Sequence, residues 1–219
     1  MHQELHCVAF LDELEKVNKK LNLVSYKTRE ELEIKHLQDS LSLLEVFDLE
    51  AGQRVLDIGA GGGFPGVALA IMAPEAEFTL MDSTDKKMKA VEKILEKVGV
   101  PNVTTVTGRF ETLAYDPAYR ESFGMVVARG VAPLPTLLEY AAGFVCVNGL
   151  FVAYKSSSYE EELDASQHAL NILGMELDGA IDYELHNEMG SRTLLVFLKT
   201  KPLSDEYPRR DGVPKKKPL

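Results

Sequence analysis

The stretch Val55-Leu56-Asp57-Ile58-Gly59-Ala60-Gly61-Gly62-Gly63-Phe64-Pro65-Gly66 decides how this chain is read. A short strand-like run enters four glycines in five positions, and an apolar helical pattern over 64–72 follows. Glycine lacks a Cβ, so the backbone can take left-handed dihedrals and come close to a bound group. The first turn of the next helix offers N–H groups that have no partner within the helix. Read from Gly61, the segment also fits G-x-G-x-x-G. That pattern alone is compatible with a dinucleotide site or with a plain connecting turn.

Two aspartates favour another cofactor. Asp57 stands two residues before the first glycine, where a carboxylate repels a pyrophosphate but accepts hydrogen bonds from an ammonium group. Asp82 ends the next strand, about 20 residues past the glycines, the spacing at which an acid meets ribose hydroxyls. A ribose held by Asp82, with a cationic amino acid near Asp57, describes S-adenosylmethionine.

Working outward, short apolar runs alternate with helical patterns. Strands are predicted at Val55–Ile58, Phe78–Met81, Val103–Val106, Met125–Ala128 and Leu150–Tyr154, with helices over 64–72, 85–98, 134–144 and up to Leu173. Such alternation means a parallel sheet covered on both faces. Two last strands, about 175–186 and 193–199, predict an antiparallel edge. The expected fold class is α/β, a doubly wound, mostly parallel sheet of seven strands with that edge, over residues 51–201. Before it, residues 1–50 read as a helical segment. Leu5, Val8, Leu11, Leu14, Val17 and Leu21 give one stripe, Asn22 suits a helix end, and Thr28-x-x-Glu31 reads as a capping box. After it, residues 202–219 hold four prolines and five basic residues and read as an extended or disordered basic tail.

Composition excludes much else. The chain has 219 residues, 45% of them hydrophobic, which argues against disorder. Cys7 and Cys146 are too few and too far apart for a disulfide framework or a zinc site, so no metal is expected. The start MHQELHCVAF lacks a basic stretch followed by an apolar one, and no apolar run is long enough to span a membrane. A soluble, cytoplasmic monomer is the expectation.

At this point the chain resembles a known family, the bacterial 16S (small-subunit) ribosomal RNA guanine-N7 methyltransferases, also called the glucose-inhibited division protein B family. The resemblance rests on Asp57-x-Gly59-x-Gly61-x-Gly63-Phe64-Pro65-Gly66 with Asp82-Ser83. It extends to Asn22-Leu23-Val24-Ser25, Lys35-His36-Leu37-Gln38-Asp39-Ser40, Ala128-Arg129-Gly130-Val131-Ala132, the run Gly149 to Lys155, and Tyr207-Pro208-Arg209-Arg210-Asp211-Gly212-Val213-Pro214. It covers about residues 5–219 and implies a class I methyltransferase fold using S-adenosylmethionine. It implies cofactor contacts from Asp57, Gly59, Ala60, Gly61, Phe64, Asp82, Ser83, the pair Phe110-Glu111, and Arg129. Two positions depart from the family pattern. Phe110 stands where alanine is usual, which points to a backbone contact there. Gly130 replaces an alanine, which implies a more flexible loop.

The implied reaction is attack of guanine N7 on the sulfonium methyl. N7 carries a free lone pair and needs no deprotonation, so alignment rather than a general base is required. Arg129 follows the fourth strand, at the rim where ligands bind, and an arginine fork suits guanine O6. Lys155 ends the fifth strand at the same rim. His36 and Asn22 join them as candidate catalytic residues because both fall in matching motifs. Tyr26 and Phe64 are candidate stacking partners for a base. Lys86, Arg109, Arg209, Arg210, Lys215 and Lys216 are candidate RNA contacts. The expected partner is 16S ribosomal RNA or a small-subunit particle.

The net charge of −10 looks unfavourable for an RNA enzyme, but its distribution is uneven. Residues 199–219 carry seven basic and three acidic residues, net +4, which leaves −14 on residues 1–198. An acidic body that suppresses non-specific RNA binding, with a basic tail supplying local contacts, reconciles the two. On that reading, removing residues 205–219 weakens RNA binding and spares the cofactor. The rivals are a methyltransferase acting on a small molecule or protein, and a non-enzymatic cofactor- or RNA-binding module on the same fold.

Overall fold

The computed structural model describes residues 2–156 and 159–219. Among these, seven strands form one sheet: β1 (Arg54–Ile58), β2 (Glu77–Asp82), β3 (Val103–Thr107), β4 (Phe123–Arg129), β5 (Val145–Ser156), β6 (Met175–Glu184) and β7 (Ser191–Lys199). The order is β3-β2-β1-β4-β5-β7-β6, with β7 antiparallel to both neighbours and the other pairings parallel. The helices are α1 (His2–Leu21), α2 (Arg29–Leu32), α3 (Asp39–Leu41), α4 (Gly66–Met72), α5 (Asp85–Val98), α6 (Phe110–Leu113), α7 (Leu134–Ala142), α8 (Glu160–Asp164), α9 (Gln167–Leu173) and α10 (Val213–Lys216).

The central strands read as continuous apolar runs because both faces are covered. Successive side chains point to opposite faces. Val55, Met125 and Val152 thus enter the core under α1, α4 and α5, while Leu56, Val126 and Phe151 enter the core under α7 and α9. Successive connections leave β1 toward β2 and β3, then return to β4 on its other side. The crevice beyond the ends of β1 and β4 is therefore the switch point where such sheets take ligands.

Helix α1 buries Cys7, Phe10, Leu11 and Leu14, at helical spacing, against the same core as the sheet. The predicted stripe was rotated: Leu5 and Val8 are exposed. The helix ends where expected, at Asn22 with φ 45°. Thr28 caps the next helix by accepting from Glu31 N (3.2 Å), but the Glu31 carboxylate reaches Lys27 N (2.7 Å), one residue before the cap. The single helix expected after Thr28 is broken by a π turn over Glu33–Gln38. Such one-turn widenings often accompany functional sites.

The glycine stretch is held from beneath. Gly59 N and Ala60 N both donate to Met81 O at the end of β2 (2.7 and 3.1 Å). Gly59 has φ 76°, and a Cβ there would lie 2.5 Å from Val131 Cγ2, so only glycine lets the loop pass β4's exit. Helix α4 starts at Gly66, two residues later than predicted, because residues 59–65 form the turn. Gly66 N donates to Asp57 Oδ2 (2.8 Å).

The C-terminal segment is not disordered. Leu203 is buried, Arg120 donates to the carbonyls of Leu203, Ser204 and Tyr207, and Pro214 packs under α7 with its carbonyl on Thr136 Oγ1 (3.1 Å). Composition suggested a solvated chain, but four prolines also lower the entropy lost when a segment docks. Lys199, counted with the basic tail, is fully buried on Glu121 and Ala142 O.

A Cβ on Gly66 would meet Asp57 Oδ2 at 2.8 Å and Leu80 Cδ1 at 3.0 Å. Gly66→Ala is expected to cost about 1–3 kcal/mol by overpacking, a drop of roughly 2–10 °C in Tm for a chain of this size. Thermal unfolding checks it, and an unchanged Tm contradicts the tight packing of the loop.

Candidate active site at the switch point

A cavity of ≈ 830 Å³ opens at the carboxyl ends of β1, β2 and β4. That volume suits a nucleoside-sized ligand with part of a substrate. One corner is built by the glycine loop and Asp82. Asp82 is 9% exposed, and its two oxygens accept from Thr84 N (2.8 Å) and Gly61 N (3.1 Å). A carboxylate has about four lone-pair sites, so it retains capacity for two ribose hydroxyls. Gly59, Ala60, Gly61, Phe64, Ser83 and Phe110 line the same cavity.

The opposite wall comes from the N-terminal segment, pinned by Arg129. Its Nη1 donates to Asp39 Oδ2 (2.7 Å), Lys35 O (3.0 Å) and His36 O (3.3 Å), and its Nη2 donates to His36 Nδ1 (3.1 Å). His36 Nε2 donates to Ser25 O (3.0 Å), which fixes the tautomer with the proton on Nε2. Burial and then the Arg129 guanidinium hold the ring below the usual histidine range. Phe64 lies between: its ring is 5.4 Å from that of His36, 5.5 Å from the Arg129 guanidinium and 5.2 Å from Phe10. Asp39 is buried and also accepts from Tyr183 Oη (2.7 Å), and Tyr154 Oη donates to Ser40 O (2.8 Å).

Several expectations need correction. Arg129 lines the cavity, but its fork is spent on the N-terminal segment, so it positions that wall rather than standing free for O6. Lys155 is also at the rim, paired with Glu162 (2.6 Å). Asn22 lies outside the cavity as the cap of α1. Tyr26 packs on the core beside α1. Asp57 is fully buried beneath the loop and does not line the cavity, so it clamps α4 instead of meeting an ammonium group. Glu111 is 1% exposed and turned away, accepting from Arg109 Nη2 (3.1 Å) and Gly212 N (2.8 Å). Lys86 points to solvent, whereas its neighbour Lys87 lines the cavity, because one helical step turns a side chain by about 100°. Arg209 is folded inward onto Glu139. Arg109 and Lys215 reach the cavity, while Arg210 and Lys216 are exposed beside it.

Residues that the sequence reading passed over include Asp39, Lys87, Tyr154 and Arg192. Asp39 and Tyr154 sat inside motifs already singled out and were overlooked for their neighbours. Arg192 had no local signal: β7 is antiparallel, so it begins where β5 ends, and Arg192 pairs with Ser156 at the rim. Gly130, expected to loosen its loop, has φ 66°, a conformation that alanine would strain.

The fold and this corner define a class I methyltransferase, a class in which S-adenosylmethionine sits on such a loop. Of known structures, a SAM-dependent methyltransferase from Aquifex aeolicus has this fold, with TM-score 0.58, 16% identity, and coverage of 86% of this chain and 98% of that one. The family model described as rRNA small subunit methyltransferase G matches residues 3–188. Ribosomal RNA small subunit methyltransferase G of Desulfitobacterium hafniense is 41% identical over 210 residues, 96% of this chain and 87% of the relative. Its counterpart in Deinococcus radiodurans is 42% identical over 202 residues, 92% and 80% of the two chains. The chain belongs to the rRNA small subunit methyltransferase G family.

Asp57 Oδ1 has no hydrogen-bond partner among the described residues, and burial pushes the carboxyl up to about 7, against the Gly66 N–H that lowers it. Unfolded, the group titrates near 3.8. Between those values the native state keeps a proton that the unfolded state has lost, so this group makes stability fall as pH rises from about 4 to about 7. Asp57→Asn removes the effect. The Tm of the variant minus that of the native protein is therefore expected to grow over that range and level off above it. A pH-independent difference refutes the buried, proton-holding carboxyl.

Proposed function

We propose that the protein transfers the methyl group of S-adenosylmethionine to N7 of a guanine in 16S ribosomal RNA, acting in the cytoplasm where that RNA is found. The observation that carries this reading, beside the family, is the pairing of an Asp82–glycine-loop corner with a cationic mouth. Seven lysine and arginine side chains line the cavity against two aspartates, in a chain of net charge −10. Among the described residues, Lys87, Arg192 and Lys215 form no salt bridge, which leaves them for phosphates.

The residues present fit the cofactor. Asp82 would hold the ribose, the Gly59–Gly61 backbone would run beside the amino-acid portion, and Phe110 would flank the adenine. When bound, S-adenosylmethionine supplies an electrophilic methyl on a sulfonium centre. Attack by N7 needs no proton removed, and the site matches that requirement. The His36 Nδ1 lone pair is already taken by Arg129, so His36 serves to orient the wall rather than to act as a base. The Arg129 fork and the Phe64 ring hold the N-terminal segment at a fixed distance from the glycine loop, which aligns an entering base. Lys155, neutralised by Glu162, shapes the rim next to Ala132 O. Lys87, Arg109, Arg192, Arg210, Lys215 and Lys216 would hold the RNA backbone. All these groups come from one chain, so a monomer suffices.

Labelled S-adenosylmethionine is expected to place its label on one guanine of 16S ribosomal RNA or of a small-subunit particle, at N7, as read by mapping the modified base. No labelled base refutes the reading. RNA affinity should fall about twentyfold on a fourfold rise in salt if roughly three phosphates are contacted. Salt-insensitive turnover would instead favour a small-molecule or protein substrate.

Asp82→Ala should weaken the cofactor by roughly ten- to a hundredfold, the worth of charge-assisted hydrogen bonds to ribose. Calorimetry that finds unchanged affinity removes Asp82 from that role. Arg129→Ala should lower kcat more than it weakens the cofactor, since it frees the wall that aligns the base, and wild-type kcat contradicts this.

A further inference from the structure

The C-terminal segment is attached to the cavity through two buried carboxylates. Glu139 on α7 is fully buried and accepts from Arg209 N (2.7 Å), Nε (3.0 Å) and Nη2 (2.6 Å). Glu111 on α6 accepts from Gly212 N (2.8 Å). Each carboxylate is the immediate neighbour of an aromatic residue that lines the cavity. Glu139 precedes Tyr140 and Glu111 follows Phe110, and those two rings lie 5.3 Å apart. Beyond these anchors Asp211 accepts from Thr112 Oγ1 (2.9 Å), Pro214 accepts from Thr136, and Lys215 reaches the cavity edge.

We propose that residues 202–217 are a strap that sets the Phe110–Tyr140 wall, with Arg209 and Glu139 as a positioning pair for the cofactor. The proposal rests on the S-adenosylmethionine reading above. Removing one partner of a buried ion pair leaves an uncompensated charge, which is far more costly than losing the pair as a whole. With the strap undocked, Glu139 must reach water, and α7 must shift at Tyr140 to let it. The wall that flanks the adenine is then lost. The coupling is reciprocal: a ligand that packs on the wall favours the docked strap by the factor with which the strap favours the ligand. The tail is therefore wired to the cofactor end of the site, and its removal, which composition suggested would spare the cofactor, costs cofactor affinity as well as RNA contacts.

The test uses S-adenosylhomocysteine as the probe on the full chain, by calorimetry and by trypsin cleavage after Arg210 and Lys215. The native protein is expected to bind, and binding is expected to slow cleavage several-fold. Arg209→Met should weaken binding at least tenfold, below its own unfolding temperature. Arg209→Met combined with Glu139→Gln leaves no uncompensated charge at the α7 anchor and should recover most of that loss. Equal affinity in Arg209→Met, or no protection of the native strap, overturns the proposal. Native protection needs no variant and decides the matter if Arg209→Met does not fold. If the native protein does not bind the probe, the cofactor reading fails, and this proposal falls with it.

Discussion

The Arg129 guanidinium holds the site together. It leaves β4 at the switch point of the sheet and ends among acceptors that belong to another part of the chain: the Lys35 and His36 carbonyls, the His36 ring and the Asp39 carboxylate. A regular helix consumes its own carbonyls, and the π turn over Glu33–Gln38 presents two of them to the arginine. Asp39 and Arg129 are both largely buried, an arrangement that is tolerable only because each is matched by further hydrogen bonds, Tyr183 on one side and His36 on the other. Without this fork the N-terminal helices would still pack on the core through Phe10, Leu11 and Leu14, and Tyr154 and Tyr183 would still hold Ser40 and Asp39 to the sheet, but the direct tie from the end of β4 to the His36 wall would be lost.

Charge acts at two scales in this molecule. The body is acidic, which disfavours indiscriminate association with RNA. The cavity mouth reverses the sign locally through side chains drawn from α5, β4, β5, β7 and the C-terminal strap. Several of these cations are paired within the protein, on Glu31, Asp39 and Glu162, so they build the walls while others face outward. Counting basic residues in the tail overstated its reach, since Lys199 and Arg209 are internal ligands of Glu121 and Glu139.

The strand positions were legible because parallel strands buried on both faces are nearly continuous apolar runs, as Met125–Ala128 is and as Val55–Ile58 is apart from Asp57. The ends of α1 and α5 were legible through Asn22 and Gly99, which take left-handed dihedrals. The corner of the cavity built by Gly59, Gly61 and Asp82 was legible, because glycine freedom and a strand-end carboxylate are local features. Asp57 misled for the same reason: its place in the sequence is that of a ligand-facing acid, while its side chain points below the loop, and strand alternation with a one-residue offset decides which. Lys86 and Lys87 differ by one helical step, which spacing alone cannot resolve without the direction of the cavity.

The sequence by itself determined the doubly wound sheet, the glycine loop at its switch point and the carboxylate that ends β2. These follow from periodicities of two and 3.6 residues and from backbone freedom at named glycines, all of them local. Only the tertiary structure decided which charged groups face the cavity and which are consumed within the protein. Arg129 with Asp39, Arg209 with Glu139, and Arg192 at the end of β5 are meetings between segments far apart in the chain. Burial removes water as a competing partner, so such ionic groups must find each other wherever the fold brings them together, and no local pattern records the choice.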